Sequence, residues 1–239
     1  MSGPMLYSAF DPEKIVFGRL DKIRTGGKIV YIDYPGSRRV QIQTPTVSLP
    51  FGVNQPYQDG GDVQSYSIDL SFRGCESSPY MRDFLDKMLK FDRVVLAKGV
   101  ENSKEWLGKA MGPEIVAEFF RPLVREPKDP QYAPTMKVKI PVVSGVPSAA
   151  FFDENKAPVT MDYLIKGTRA KFIIEASSVW FVNKNYGVTW RLVQALVVSR
   201  PSTSGAIGFV ADAADEEAAE ACGGGGEAGT EDDDAARFL

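Results

Sequence analysis

Basic and aromatic side chains recur together along this chain. Arg19, Lys22, Arg24 and Lys28 precede Tyr31 and Tyr34, and Arg38 and Arg39 follow. Further on come Arg73, Lys137, Lys139, Arg169, Lys171, Lys184 and Arg191, the last two interleaved with Trp180, Tyr186 and Trp190. Cations can follow a phosphate backbone, and flat aromatic faces accept any base, so this combination is what a single-strand binder needs. Taken one at a time, lysines and arginines on strands make an ordinary solvated face. As a set, together with the acidic C-terminal segment described below, they favour binding.

Other chemistries lack their residues. The sequence has no histidine, which excludes Ser-His-Asp and Cys-His sites and removes the commonest general base near neutral pH. Cys75 and Cys222 lie far apart. That spacing argues against a disulfide framework or a zinc site and fits a reducing, intracellular compartment. "RTGGK" lacks the spacing of a phosphate-binding loop. Glu154–Lys156 ("ENK"), with Asp129 upstream, resembles the end of a metal-dependent nuclease signature, but it runs into Pro158 and reads as a loop. No catalytic residue, metal ligand or cofactor is expected. No run of eighteen apolar residues predicts a membrane span, and the N-terminus lacks the basic-then-apolar pattern of a secretory signal.

The formal net charge of -3 hides an asymmetry. The last 29 residues hold ten Asp or Glu against one Arg, whereas the rest holds 27 Lys or Arg against 21 Asp or Glu. A basic body is joined to an acidic segment, which suggests a polyanion as partner. Residues 201–239 move through Pro, Ser and Gly into Ala, Glu, Asp and a glycine quartet. That composition buries too little apolar surface to order itself, so a flexible tail is expected. It ends in Glu231, Asp232, Asp233 and Asp234, followed by a penultimate Phe238. A tethered anionic run can occupy a basic groove at millimolar effective concentration, and Phe238 can fill a pocket on a partner or mimic a base.

The elements that must hold these residues read mostly as strands. Two β-rich runs flank Gly26-Gly27, a hairpin signal. Val40 and Ile42 alternate with Gln41 and Gln43; Tyr66, Ile68, Leu70 and Phe72 share one face; Val138 and Ile140 alternate with Lys137 and Lys139. Ser78 and Pro79 start a helix whose apolar stripe is Tyr80, Phe84, Met88 and Phe91, widened by Met81 and Leu85. The expected organisation is a body over 1–200, mainly β, an OB-fold-like barrel with a helical insertion at about 78–122, then the disordered acidic tail over 201–239. In the last hairpin, a turn over 183–187 pairs Val182 with Val188, Trp180 with Trp190 and Arg191 with Val179. Paired tryptophans there are either core or a stacking platform.

The order of these features resembles a known family: the replication single-stranded DNA-binding proteins of T-seven-like podophages and their relatives in large nucleocytoplasmic DNA viruses. The likeness lies in a β body with an inserted helix, then "AKFIIEASSVWFVNKNYGVTWRLVQALVV" as closing strands, then an acidic tail with an aromatic near its end. Leu239 after Phe238, and Arg237 before it, depart from the family's terminal aromatic. The resemblance implies an OB fold, no enzymatic activity and a homodimer. It also implies contacts through the tail to a replicative DNA polymerase and a helicase/primase, at intracellular sites of viral replication in the host nucleus or cytoplasm. Rival readings are a protein-interaction module of a replication or transcription complex, and a metal-dependent nuclease.

Overall fold

The computed structural model describes residues 3–23 and 27–201. By internal contacts the chain divides into Met1–Pro201 and Ser202–Leu239. Arg24 and the tail residues Glu231, Asp232, Asp233, Asp234 and Phe238 lie outside the described residues, as does the expectation of a flexible tail.

The fold is mainly β, as the alternating patterns predict. In the larger sheet the path runs Met5–Leu6, Val40–Gln43, Arg169–Ala176, Val47–Ser48, Asp62–Ser71, Thr135–Val143, Trp190–Ser199, Ala150–Phe152 and Pro158–Val159. Val53–Asp59 also pairs with Asp62–Ser71, and both Val124–Arg125 and Val146–Pro147 pair with Thr135–Val143. Its inner face is built by period-two burial: Val40 and Ile42; Ile68, Leu70 and Phe72; Met136, Val138 and Ile140; Ala170, Phe172 and Ile174. Arg169–Ala176 pairs with Trp190–Ser199 as well, so the sheet curls back on itself. The barrel expected from the sequence does not close. At Val47–Ser48 the ladder to Asp62–Ser71 shrinks to the single pair Ser48–Ser71, too little to make a continuous wall.

The second sheet has the order Val16–Lys22, Lys28–Asp33, Ser178–Val182, Asn185–Val188, Phe120–Arg121. Its first two strands form the hairpin read at Gly26-Gly27, with Lys22 opposite Lys28 and the Ile23 N–H donating to the Gly27 carbonyl at 2.9 Å.

Three helices, Pro79–Glu101, Ser103–Leu107 and Pro113–Phe119, fill the stretch between the sheets' strands in sequence. The long helix starts as read, with Ser78 capping the Met81 N–H and Pro79 in its first turn. Its stripe is the expected one except at its start: Met81, Phe84, Met88 and Phe91 are buried and Val95 continues it, while Tyr80 is 70% exposed. The stripe packs on the larger sheet, with the Phe91 and Trp190 rings 5.4 Å apart and Phe84 and Phe72 5.3 Å apart. The helix's far end meets the smaller sheet, where Trp106, Phe120, Phe181 and Tyr186 form an aromatic cluster with ring separations of 5.4 to 6.2 Å.

The last hairpin differs from its sequence reading. The turn is two residues long, Asn183-Lys184, both with positive φ (49° and 68°), as a type I′ turn requires. Val182 therefore pairs with Asn185, and Trp180 with Gly187. Trp190 is outside the hairpin, on a strand of the larger sheet. Asn183-Lys184 lacks the usual Asn-Gly signal of a two-residue turn.

Candidate nucleic-acid interface

A groove of about 570 Å³ runs where the two sheets meet, lined by Arg121, Arg125, Lys137, Lys139, Tyr57, Tyr66 and Trp180, with Gln55, Ser65, Ser67, Pro122, Val188 and Thr189 between them. Each side chain is there for a local reason. Lys137 and Lys139 alternate with the buried Val138 and so stand on the outer face of their strand. Trp180 stands between the buried Val179 and Phe181 and faces out from the smaller sheet. Its partner Gly187 leaves it room: a Cβ there would lie 3.1 Å from the Trp180 ring and 2.8 Å from the Arg121 carbonyl. Tyr31, 49% exposed, pairs with Ser178 on the same outer face and so sits diagonally from Trp180. The Lys139 ammonium lies 6.0 Å from the Tyr57 ring centroid, the outer limit of a cation–π contact.

The groove's electrostatics are one-signed. Among the described residues no acidic side chain lines it. Among the described residues none of its four cations is in an ion pair. Asp69, across the strand from Lys137, is buried and accepts from Asn54 Nδ2 at 2.7 Å. The Arg121 guanidinium is steadied by donating to the Glu118 and Phe120 carbonyls at 3.0 and 3.2 Å.

Of the residues singled out in the sequence, Lys137, Lys139 and Trp180 meet in this groove, and Tyr31 borders Trp180. Arg39 and Arg191 are drawn into a different task. The buried Glu175 carboxylate accepts from Arg39 Nη1 at 3.2 Å and from Arg191 Nη2 at 2.7 Å, so their charge is partly neutralised. Tyr186 and Trp190 are corrections: both are 0% exposed and belong to the two aromatic clusters of the core, where no base can reach their faces. The Tyr34 ring packs against Phe10, and its hydroxyl accepts from the Asp11 N–H at 3.0 Å, so it is a structural residue. Arg19 and Lys22 are exposed, and Lys28 half-buried, on the smaller sheet's outer hairpin; Arg38 and Arg73 are exposed in turns; Lys184 is exposed at the tip of the last hairpin. Arg169 and Lys171 stand on the larger sheet, Lys171 beside Lys156 in a separate pocket with Phe152 and Leu196.

Tyr57, Tyr66, Arg121 and Arg125 were not among the sequence candidates. The signal for Tyr57 is Asp59-Gly60-Gly61-Asp62, a turn with positive φ at both glycines that folds Val53–Asp59 onto its neighbour and sets Tyr57 opposite Ser65. Arg121 and Arg125 carry no periodic signal, because the segment that holds them crosses from one sheet to the other. Among the described residues no group of three His, Cys, Asp or Glu side chains could hold a metal ion. No helix there is long and apolar enough to cross a membrane.

Comparison with known proteins gives a family and some distant likenesses. A model described as a family of unknown function (DUF5871) matches residues 80–205. No curated protein matches the chain. The single-stranded DNA-binding protein from bacteriophage Enc34 in complex with ssDNA aligns at 10% identity and a TM-score of 0.42, over 79% of this chain and 98% of that one. Its C-terminal truncation aligns at 11% and 0.40, over 79% and 97%. The single-stranded DNA-binding protein gp2.5 encoded by bacteriophage T7 aligns at 14% and 0.45, over 72% and 98%. Likenesses this distant carry no function to the present chain, which has to be read from its own groove.

Proposed function

We propose that this chain, which belongs to a family of unknown function (DUF5871), is a non-enzymatic single-stranded DNA-binding protein that coats exposed strands without base specificity. The observation that carries this reading is the groove: four cations with no acidic partner among the described residues, set beside Tyr57, Tyr66 and Trp180. Arg and Lys would neutralise phosphates along the strand, and the aromatic faces would stack on whichever base is present. Aromatic side chains that can stack suit unpaired bases better than a duplex, whose bases are already stacked. The curled sheet with an intervening helix is compatible with an OB-like arrangement.

The setting we propose is viral DNA replication and recombination, inside the host cell at replication sites in its nucleus or cytoplasm. The protein would act as a homodimer, and the acidic C-terminal segment would compete with DNA for the basic body. Once displaced, its Glu231, Asp232, Asp233, Asp234 and Phe238 would be free to dock on a replicative polymerase or a helicase/primase. What supports this part is the charge asymmetry of the sequence and the resemblance of its closing strands to the viral family.

The first test is a gel shift with oligo-dT at low and moderate salt. A shift that weakens as salt rises is expected; no shift at low salt would refute DNA binding and favour the interaction-module reading. Removing residues 211–239 should tighten binding and reduce discrimination between DNA and other polyanions. Equal or weaker binding after truncation would remove the decoy from the account.

A further inference from the structure

The segment from Phe120 to Arg125 carries both groove arginines, and it is held in an unusual way. Phe120–Arg121 pairs with Asn185–Val188 in the smaller sheet, with Arg121 opposite Gly187. Val124–Arg125 pairs with Thr135–Val143 in the larger sheet, with Val124 opposite Met136. Between them the backbone changes sheets at Pro122-Leu123. Pro122 has no N–H, and Leu123 and Val124 are buried at the crossing, where an unpaired backbone donor would be costly.

One side chain meets that need. Asp92, buried in the middle of the long helix, accepts from the Leu123 N–H with both carboxylate oxygens, at 3.0 and 2.9 Å, and from the Val124 N–H at 3.1 Å. Burial pushes its carboxyl up to about 6, and the two N–H groups pull in the other direction. Lys90 and Arg93 flank it in its own helix, Arg121 and Arg125 lie on the held segment, and the segments packed against the helix carry Glu114, Glu118, Glu13 and Lys14. None of them contributes to that shift.

The geometry points to Asp92 as the positioning residue of the groove. By pinning the sheet-to-sheet crossing it sets Arg121 and Arg125 against Lys137 and Lys139, without touching the strand itself. This rests on the DNA-binding reading above. If Asp92 acts through the two arginines, losing it should remove their phosphate contacts and nothing else. Asp92→Asn keeps the size and leaves one oxygen for the two N–H groups, but its Nδ2 then meets the Leu123 N–H donor to donor, which loosens the hold on the crossing.

The test compares the full-length wild type, D92N, R121A/R125A and the triple variant for oligo-dT binding across a salt series. At about 0.7 in log K per log salt for each single-strand phosphate contact, D92N should flatten the salt slope by about 1.4, as R121A/R125A does. The triple variant should be no weaker than R121A/R125A. A purely structural lesion would instead lower affinity again in the R121A/R125A background, and that outcome overturns the inference, as does a D92N slope equal to the wild type. Should D92N fail to fold, amide exchange on the wild type decides: the Leu123 and Val124 amides should slow further when oligo-dT is bound, and unchanged exchange with binding intact refutes the proposal. If the wild type itself does not bind oligo-dT, it is the functional reading that fails.

Discussion

Replacing Lys137 and Lys139 by alanine is the most direct perturbation of the groove, because its size follows from counting charges. Both side chains alternate with the buried Val138, so truncating them leaves the core of their strand untouched. Four cations line the groove. At about 0.7 per phosphate contact on a single strand, they set a slope of roughly -2.8 in log K against log salt, so raising salt from about 50 to about 200 mM should weaken wild-type binding about 50-fold. Without the two lysines the slope becomes roughly -1.4, and the same change in salt weakens binding only about sevenfold. The double variant is thus weaker at low salt and less sensitive to salt. Fluorescence anisotropy of a labelled oligo-dT at four or five salt concentrations measures both. Parallel lines for wild type and variant, with affinity lost equally at every salt, would mean that the lysines do not meet phosphates, and the assignment of the groove would be wrong.

The remaining predictions use other parts of the structure. Trp180→Ala should weaken oligo-dT binding by about 1–3 kcal/mol for one lost stacking face with the salt slope unchanged, and should abolish DNA-induced quenching of tryptophan fluorescence, since Trp106 and Trp190 are buried; quenching that persists would locate the base contacts elsewhere. Burial raises the Asp92 carboxyl from its ordinary value near 3.8 to about 6, so the folded state holds this proton more tightly than the unfolded chain. Its contribution to stability is therefore full below about pH 4 and is lost as pH rises through about 6, by about 3 kcal/mol. With no histidine in the chain, urea titrations at pH 5 and pH 7 should show wild type losing about 1.3 kcal/mol of this relative to D92N, and an identical pH response in the two would refute it. Gly99→Ala should destabilise the protein by about 1–3 kcal/mol in thermal melts, because a Cβ there would lie 2.6 Å from Cζ of the buried Tyr186. A gain of about 1 kcal/mol, the ordinary helix-propensity benefit, would show that Tyr186 can move aside.

Local features could be read from the order of residues alone. Alternating apolar residues such as Val40 and Ile42, or Val138 and Ile140, have one way to bury a face, so the strands and their inward sides were legible. So were the Ser78-Pro79 helix start and the joining of a basic body to an acidic segment. Tertiary structure decided which of those residues meet. Whether an arginine is free to bind depends on what lies beside it in space: Arg39 and Arg191 share Glu175 across 136 and 16 positions of sequence, while Arg121 and Arg125, which carry no pattern, enter the groove because Asp92 holds their backbone. Trp180 and Trp190 look alike in the sequence, yet two residues in left-handed backbone at Asn183-Lys184 set a register that leaves one at the groove and places the other in the core. Periodicity comes from each residue's own neighbours along the chain, whereas a site depends on strand register and sheet crossing, which are fixed only when the whole body packs.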